Sequence, residues 1–393
     1  MKRPSNAPLR PVINLGQSRP VATPIHPSVV YASEDLNALD EIYFGQAEGY
    51  TYSREGHPNA QQLAQMIDEM EGAEGGIITG SGMSAVLLAV LSCAASGDHV
   101  LGGDQLYGRS LRMMSDELPR LGIAAEVVDT TDSAQVEAAL KPNTKAILLE
   151  VVSNPTLRIA DMEGIYALEK ARGIKVIVDN TFTTPAAYQP LQVGADLVVH
   201  SVTKLLAGHS DAMLGYVAAG DPALNDEMRV RAITWGLTGS PFDCWLAERG
   251  ALSFGLRYAA TTQNAQRLAT ALSDHPSVAQ VLYPSRQDHP QADRARRLLG
   301  DKGGNMVSFR LNADARDPAN TFVRALDAVP CAPTLGDIGT TLSHPATSSH
   351  RALTSEARAA LGMGEGFFRV SVGIEPIESL VDVFTNALDQ IQD

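Results

Sequence analysis

A single lysine, Lys204, follows the apolar run "GADLVV" in the segment "HSVTKLLAGHSD", residues 200–211. A buried lysine gives up the water around its charge, so it is rarely found without a partner. Lys204 therefore either reaches solvent at the end of a strand or supplies an amine that the protein needs there. An amine that loses its water and its proton can form a Schiff base with an aldehyde.

A carboxylate stands in a similar position at the end of a second apolar run. Asp179 closes the run in "IKVIVDNTF", residues 174–182. A carboxylate buried there is unfavourable unless it meets a cation or a protonated nitrogen. The alternative is an ordinary helix cap or loop carboxylate.

A third feature is the turn in "GGIITGSGMSAVLLAV", residues 75–90. It predicts a strand, a Gly-Ser-Gly turn and a helix, so the amides of Ser81, Gly82 and Met83 lie at a helix start. Such amides bind anions, although an ordinary capped turn has the same pattern. The turn is neither GxGxxG nor a P-loop, so neither NAD nor ATP is indicated.

The three features fit one cofactor, pyridoxal 5′-phosphate. Its aldehyde suits Lys204, its pyridine nitrogen suits Asp179, and its phosphate suits the turn at Ser81, Gly82 and Met83.

The elements that position these residues alternate between strand and helix. The predicted strands are 99–103, 124–129, 145–151, 174–180, 195–201 and 214–219, with predicted helices at 84–96, 110–122, 133–141 and 162–173. Strands that are apolar on both faces indicate a mainly parallel sheet covered by helices on both sides. Ligands bind at the carboxyl ends of such strands, where the candidate residues stand.

Three regions are predicted along the chain. Residues 1–59 form an N-terminal arm with one short helix in "SEDLNALDEIYF", and residues 60–255 form a large α/β domain. A long helical stretch crosses the boundary, and residues 256–393 form a smaller α+β domain. Its predicted strands are 277–283, 304–311 and 368–374, and its predicted helices are 318–328 and 378–391.

The segment "DNTFTTPAAYQPLQVGADLVVHSVTKLLAGHSD" resembles the signature of the Cys/Met-metabolism (trans-sulfuration) family of pyridoxal-phosphate enzymes. The likeness runs from "YTYSREGHPN" to "FRVSVGIE", which is most of the chain. It implies a fold-type I, transferase-like α/β architecture with pyridoxal phosphate as cofactor.

The resemblance also implies a role for each matching residue. Lys204 holds the cofactor and moves protons, Asp179 pairs with the ring nitrogen, and Tyr107 stacks on the ring and assists proton transfer. Asn154 lies near the ring's 3′-oxygen and the substrate, and Arg369 binds the substrate α-carboxylate.

The phosphate site and its surroundings follow in the same way. The residues that the resemblance assigns to the phosphate are Ser81, Gly82, Met83, Ser201 and Thr203, with Tyr52 and Arg54 reaching it from a neighbouring subunit. The family's carboxylate-site serine is replaced by Thr334, and Pro333 stands where several γ-lyases carry an acid. Arg109 follows "YG" in place of glycine or cysteine, and it either meets a distal carboxylate or faces solvent. His57 replaces the usual asparagine before Pro58.

Composition excludes several other classes of function. The net charge of −14 disfavours a nucleic-acid partner, and no run of 18 apolar residues predicts a membrane span. The three cysteines form no metal or disulfide pattern, and the first twenty residues hold no apolar signal core, so the cytoplasm is expected. The histidines and acid of "GHSD" and "LSHPATSSH" are expected to form loop hydrogen bonds, and no metal is expected.

The resemblance to the Cys/Met-metabolism family favours a lyase that carries out γ- or β-elimination on cystathionine, methionine or a related amino acid. The alternative is a γ-replacement transferase of the cystathionine γ-synthase or O-acylhomoserine sulfhydrylase type. A third hypothesis, a cofactor-binding protein without turnover, conflicts with the presence of Lys204, Asp179, Tyr107 and Arg369. The expected assembly is a homotetramer built from two dimers.

Overall fold

The computed structural model of this chain describes residues 17–18, 20–351 and 354–391. The strands are β1 (Ile77–Thr79), β2 (His99–Gly103), β3 (Ala124–Val128), β4 (Thr144–Glu150), β5 (Lys175–Asp179), β6 (Leu197–Ser201), β7 (Gly215–Ala219), β8 (Val278–Leu282), β9 (Met306–Leu311), β10 (Thr341–Ser343) and β11 (Phe367–Ser371). The helices are α1 (Leu36–Tyr43), α2 (Pro58–Glu71), α3 (Gly82–Cys93), α4 (Gly108–Arg112), α5 (Leu118–Arg120), α6 (Ser133–Ala139), α7 (Met162–Arg172), α8 (Thr184–Ala187), α9 (Pro190–Val193), α10 (Pro222–Trp235), α11 (Pro241–Ala251), α12 (Phe254–Ser273), α13 (Ala292–Leu299), α14 (Arg316–Ala325), α15 (Ser355–Ala360) and α16 (Ile377–Leu388). A π-helical turn, Met113–Glu117, joins α4 to α5, and a 3₁₀ turn, Pro345–Thr347, follows β10.

The larger sheet has seven strands in the order β1-β7-β6-β5-β4-β2-β3. The strands from β6 to β3 are parallel, and β7 runs antiparallel to both of its neighbours, β6 and β1. The prediction of a mainly parallel α/β sheet is confirmed.

Alternation along the central strands explains why both faces of this sheet are covered. In β5, Ile177 packs into one apolar cluster, and its neighbours Val176 and Val178 pack into another on the opposite face. In β6, Val199 and Val198 divide in the same way. Each strand therefore buries both of its faces, as parallel strands under two helical layers must.

The register brings the ends of neighbouring strands to one edge of the sheet. Glu150 at the end of β4 is paired with Asp179 at the end of β5. Ser201 at the end of β6 is paired with Gly215, which in turn is paired with Thr79 at the end of β1. This edge therefore collects the residues that follow β1, β4, β5 and β6.

The smaller sheet is antiparallel, in the order β10-β11-β9-β8. Its predicted strands are confirmed, and the structure adds β10, a short edge strand that the sequence interpretation left in a loop. The long helical stretch near the predicted boundary is two helices, α11 and α12. Phe254 and Tyr258 of α12 pack with the large domain, whereas Leu268 and Leu272 pack with the small one. The division at residue 256 stays a prediction.

The arm is described from residue 17 onward, with residue 19 excepted. Its predicted helix is confirmed as α1, and no residue of α1 is buried. The arm is held near Thr23, whose hydroxyl donates to Glu248 and whose carbonyl accepts from the Trp245 indole at 2.8 Å. Asn59 fixes it further by donating to the Pro24 carbonyl at 2.9 Å.

Candidate active site

Lys204 lies in a helical turn directly after β6 and is half-buried. Its backbone N–H donates to the Ser201 carbonyl at 3.1 Å, and its carbonyl accepts from Gly208 at 2.8 Å. Loss of water lowers the pKa of the Lys204 amine, and the positive charge of Arg369 lowers it further. A lysine with a lowered pKa releases its proton more readily and becomes a better nucleophile.

The backbone around Lys204 is fixed by a buried arginine and a glycine. Arg257 donates to the carbonyls of Leu205 and Leu206 at 2.7 and 2.9 Å. Gly336 crosses close to the turn, because a Cβ added there would lie 2.5 Å from the Leu205 nitrogen. Gly336 has a φ of +78°, a conformation that favours glycine.

Asp179 lies at the end of β5 and shares a hydrogen-bond chain with β6. Its Oδ1 accepts from the Thr181 N–H at 3.1 Å and from the Thr181 hydroxyl at 2.6 Å. The Thr181 oxygen accepts from the Ser201 N–H at 2.8 Å. Burial raises the pKa of Asp179, and the hydrogen bonds from Thr181 partly oppose this rise. Oδ2 of Asp179 accepts no hydrogen bond from the described residues, so it is available to a protonated nitrogen.

The predicted anion-binding turn lies against the end of β6. Ser81 caps α3 by accepting from the Ser84 N–H at 3.1 Å. A Cβ at Gly82 would lie 2.6 Å from that of Ser201, so only glycine permits this approach. The N–H groups of Gly82 and Met83 have no acceptor in the described part of the chain, as expected at a helix start. They form a cradle suited to a phosphate.

Thr203 differs from this group because its hydroxyl is already occupied. It donates to the Leu214 carbonyl at 3.2 Å and accepts from the Leu214 N–H at 3.0 Å. In this structure the hydroxyl therefore joins the turn to the start of β7, and the assignment of Thr203 to the phosphate stays a prediction.

Arg369 comes from β11 and is 5% exposed. It donates to Asn154 Oδ1 at 2.7 Å and to the Thr334 carbonyl at 2.7 Å. Its Nε has no partner among the described residues. Little water reaches the guanidinium, and this burial lowers the pKa of Arg369 to about 10. An anionic ligand would satisfy both the charge and the free Nε.

Tyr107 stands at the start of α4, with 41% of its surface exposed. Its N–H donates at 2.8 Å to Oε1 of Glu150, a carboxyl that the sequence interpretation did not single out. Thr181 was missed in the same way. One signal was present for Glu150, because it ends the apolar run "KAILLE" as Asp179 ends "IKVIVD".

Tyr52 and Arg54 lie together, apart from the strand ends. The Arg54 guanidinium stands 5.1 Å from the centre of the Tyr52 ring, and both side chains are exposed. No hydrogen bond of the described residues joins either to Lys204, Asp179 or Ser201.

The histidines considered for metal binding form local hydrogen bonds. His209 contacts the Ala207 carbonyl at 2.7 Å, and His344 contacts Thr347 at 3.0 Å and the Glu365 carbonyl at 2.9 Å. Across the described ranges, no cluster of three or more histidine, cysteine or acidic residues is arranged to hold a metal. No helix within those ranges is both long enough and apolar enough to cross a membrane.

The geometry fits pyridoxal phosphate. One edge of the sheet holds an amine with a lowered pKa, a carboxylate with a free oxygen and a helix start with free N–H groups, and a buried cation lies nearby. A mainly parallel α/β sheet with these groups at its strand ends offers the contacts that a pyridoxal-phosphate-dependent enzyme needs.

Comparisons with known proteins specify the family. The family model described as "Cys/Met metabolism PLP-dependent enzyme" matches residues 12–389. Cystathionine gamma-lyase of Bacillus subtilis (strain 168) is 40% identical over 348 residues, covering 88% of this chain and 90% of that protein.

Solved structures agree with this family assignment. Cystathionine gamma synthase from Xanthomonas oryzae pv. oryzae, in complex with cystathionine, superposes with a TM-score of 0.89 and 35% identity, over 94% of this chain and 93% of that one. An O-acetylhomoserine (thiol)-lyase of Campylobacter jejuni, described as putative, contains a pyridoxyl-lysine monophosphate. It gives a TM-score of 0.90 and 28% identity, over 96% and 97% of the two chains.

The chain belongs to the Cys/Met-metabolism family of pyridoxal-phosphate-dependent enzymes. Pyridoxal phosphate is its cofactor.

Proposed function

We propose that this enzyme is a lyase that eliminates the γ-substituent, or the β-substituent, of a sulfur-containing amino acid such as cystathionine or methionine. One water is consumed, and the products are a 2-oxo acid, ammonia and the released thiol. The observation that carries this proposal is the position of Lys204, which follows the end of β6 at the same edge of the sheet where Asp179 ends β5; burial also lowers the pKa of its amine. The similarity to Bacillus subtilis cystathionine gamma-lyase supports the choice of reaction.

The cofactor supplies an aldehyde that takes up the substrate amine and a ring that accepts electrons from the α-carbon. Lys204 Nζ removes the α-proton and later returns a proton, since loss of water lowers the pKa of this amine and makes its proton easier to release. Asp179 Oδ2 holds a proton on the ring nitrogen. A neutral residue at position 179 would not keep the ring nitrogen protonated and positively charged.

Arg369 binds the substrate α-carboxylate. Its Nε is free, and its other nitrogens are held by Asn154 and by the Thr334 carbonyl, so the guanidinium is fixed before substrate arrives. Pre-set donors keep their geometry through the reaction. Tyr107 covers the ring and passes a proton to the departing sulfur.

A γ-replacement transferase is the second candidate. It is favoured by the likeness to the cystathionine gamma synthase of Xanthomonas oryzae and by Pro333, which stands where several γ-lyases carry an acid. A panel of amino acids, incubated with and without a thiol, separates the two. A lyase forms 2-oxo acid and ammonia from cystathionine or methionine without a thiol. A transferase forms a thioether from an O-acylhomoserine only when thiol is present.

The proposed assembly is a homotetramer of two dimers in which the arm completes the neighbour's phosphate site. Three facts support it: α1 buries none of its residues, Leu36 and Phe44 are 79% and 74% exposed, and Arg54 is exposed. A second chain covering these side chains would remove a large apolar surface from water.

Mixing two inactive variants tests the shared site. Arg54→Ala and Lys204→Ala chains, reassembled in equal amounts, form hybrid dimers with one intact site. About one quarter of wild-type activity should then return, as half of the dimers are hybrids. No recovery after verified chain exchange, or a fully active monomer, would refute the sharing.

The proposed location is the cytoplasm, and the proposed domain division is 1–59, 60–255 and 256–393. Support for the location comes from the cysteines Cys93, Cys244 and Cys331, all of which are free thiols.

A further inference from the structure

Glu150 is a buried carboxyl beside the cofactor edge, and the mechanism above does not use it. It ends β4 and is 8% exposed. Oε1 accepts the Tyr107 N–H at 2.8 Å, and the N–H of Asn154 also approaches the carboxyl. Oε2 is buried and has no hydrogen-bond partner in the described ranges.

The charged groups around Glu150 disfavour a second negative charge there. Asp179 is its partner across β4 and β5, and the two carboxyls repel each other. Arg369 attracts the ionised form, but this effect is smaller than those of burial and of Asp179. Asp104 and Arg158 line the same small polar cleft as Glu150 and are paired with each other at 3.4 Å. Together, burial and Asp179 raise the pKa of Glu150 well above its ordinary value.

The contacts of Glu150 reach two parts of the substrate site. Through the backbone of Tyr107 it fixes the start of α4, which carries the ring-covering phenol. Asn154, whose N–H faces the same carboxyl, holds Arg369 Nη1 through its side chain. One carboxyl therefore supports the wall above the cofactor ring and the clamp for the α-carboxylate.

We propose that Glu150 is a positioning residue that acts as a neutral carboxylic acid, tying Tyr107 and Asn154 into place and leaving Asp179 as the only negative charge at the ring nitrogen. A neutral acid accepts the Tyr107 N–H through its carbonyl oxygen as an amide does. The roles of Tyr107, Asn154 and Asp179 in this inference rest on the proposed function.

Two substitutions separate the neutral acceptor from the charge. Glu150→Gln keeps an uncharged acceptor for the Tyr107 N–H, and Glu150→Ala removes it. With Gln, the dissociation constant for pyridoxal phosphate should stay within about threefold of wild type, and the KM should change little. With Ala, the dissociation constant should rise about tenfold, because a buried N–H loses its partner.

Infrared difference spectroscopy of the cofactor-free protein reads the protonation state directly. At neutral pH, wild type minus Glu150→Gln should show the carbonyl band of a protonated carboxylic acid. Glu137→Gln, which replaces an exposed glutamate paired with Arg172, should show only carboxylate bands. A merely structural role for Glu150 is compatible with either the ionised or the neutral side chain. Only the proposal requires the band of the protonated acid.

Three results would overturn the inference. They are the absence of the protonated band, a Glu150→Gln variant as weak in cofactor binding as Glu150→Ala, and a Glu150→Ala variant that binds cofactor like wild type. If the proposed function fails instead, wild type itself gives no turnover with the amino-acid panel, while the infrared result still decides the state of Glu150.

Discussion

The two faces of β11 follow different physical rules. On one face, Phe368 stacks on Phe309 with ring centres 5.6 Å apart and meets the edge of Phe322 at 5.1 Å. On the other, Arg369 is buried without an acidic ion-pair partner among the described residues and keeps a free Nε. Neighbouring residues on one strand therefore contribute to stability on one face and, under the proposed function, to ligand binding on the other.

The two faces of β11 differ in how they affect the stability of the fold. An aromatic face needs only volume and complementary shape, and each ring adds apolar burial and ring contacts. The polar face holds groups that are unfavourable until a ligand satisfies them. Substitutions on the two faces should separate activity from stability.

The largest expected effect is on turnover, from Lys204→Ala. Removing both the cofactor-linking amine and the proton acceptor should lower kcat by at least about 10⁴-fold. Thermal stability of the cofactor-free protein should not fall, because a desolvated cation is removed. Lys175→Ala, which breaks the 2.7 Å surface pair with Asp196, is the matched control and should retain activity. Comparable losses in both variants would contradict the assignment.

Arg369→Ala tests the polar face of β11 itself. Loss of a buried, charged donor to the substrate carboxylate should lower kcat/KM by roughly 10²- to 10³-fold, mainly through KM. Arg369→Lys retains the charge but not the paired donors, so it should recover only part of the loss. Steady-state kinetics give the result, and an unchanged KM in the alanine variant would remove Arg369 from the substrate site.

Phe368→Ala tests the opposite face one residue away. The cavity left among the rings should lower the free energy of unfolding by about 3–5 kcal/mol, measured by urea denaturation. The kcat/KM of the remaining folded enzyme should stay within about threefold of wild type, because the ring faces away from the site. A variant that loses activity while keeping its stability would break the comparison between the two faces.

The smallest expected effect concerns His350, which burial and the nearby Arg369 keep neutral. Burial lowers the pKa of His350 to about 4, whereas an unfolded histidine titrates near 6.5. Between these values only the unfolded chain binds the proton. The free energy of unfolding should therefore decrease as the pH is lowered through this range, by up to about 1.4 kcal/mol per pH unit. His350→Gln should flatten this dependence in urea titrations at several pH values. His26→Gln, in the arm, is the control, and equal slopes in wild type and His350→Gln would contradict the prediction.

Much of the fold could be predicted from period and spacing. Leu63, Met66, Ile67 and Met70 have helical spacing in the sequence, and the face of α2 that carries them is buried; the helix ends at Gly72 in a left-handed conformation. β10 could not be predicted because three residues give too little alternation, and its pairing with β11 decides its structure. The break between α11 and α12 was equally hidden, since "ALSFG" contains no proline at the break.

Some residues of the candidate site could also be predicted from the sequence, and others could not. Lys204 and Asp179 were predictable because Asp179 ends an apolar strand, Lys204 follows one, and both match a family signature, although their roles remain proposals. Thr181 accepts from Ser201 of β6, and Glu150 accepts from Tyr107 in the segment after β2, so both contacts depend on how the strands are aligned in the sheet. Sequence order alone does not give that register.

The most direct test of the central claim is chemical labelling of Lys204 in the purified enzyme. Borohydride reduction followed by peptide mass spectrometry should find a phosphopyridoxyl group on the peptide that contains Lys204, and the same treatment of Lys204→Ala should leave its peptide unlabelled. Active enzyme whose Lys204 remains unmodified after complete reduction would contradict the assignment of this lysine to the cofactor.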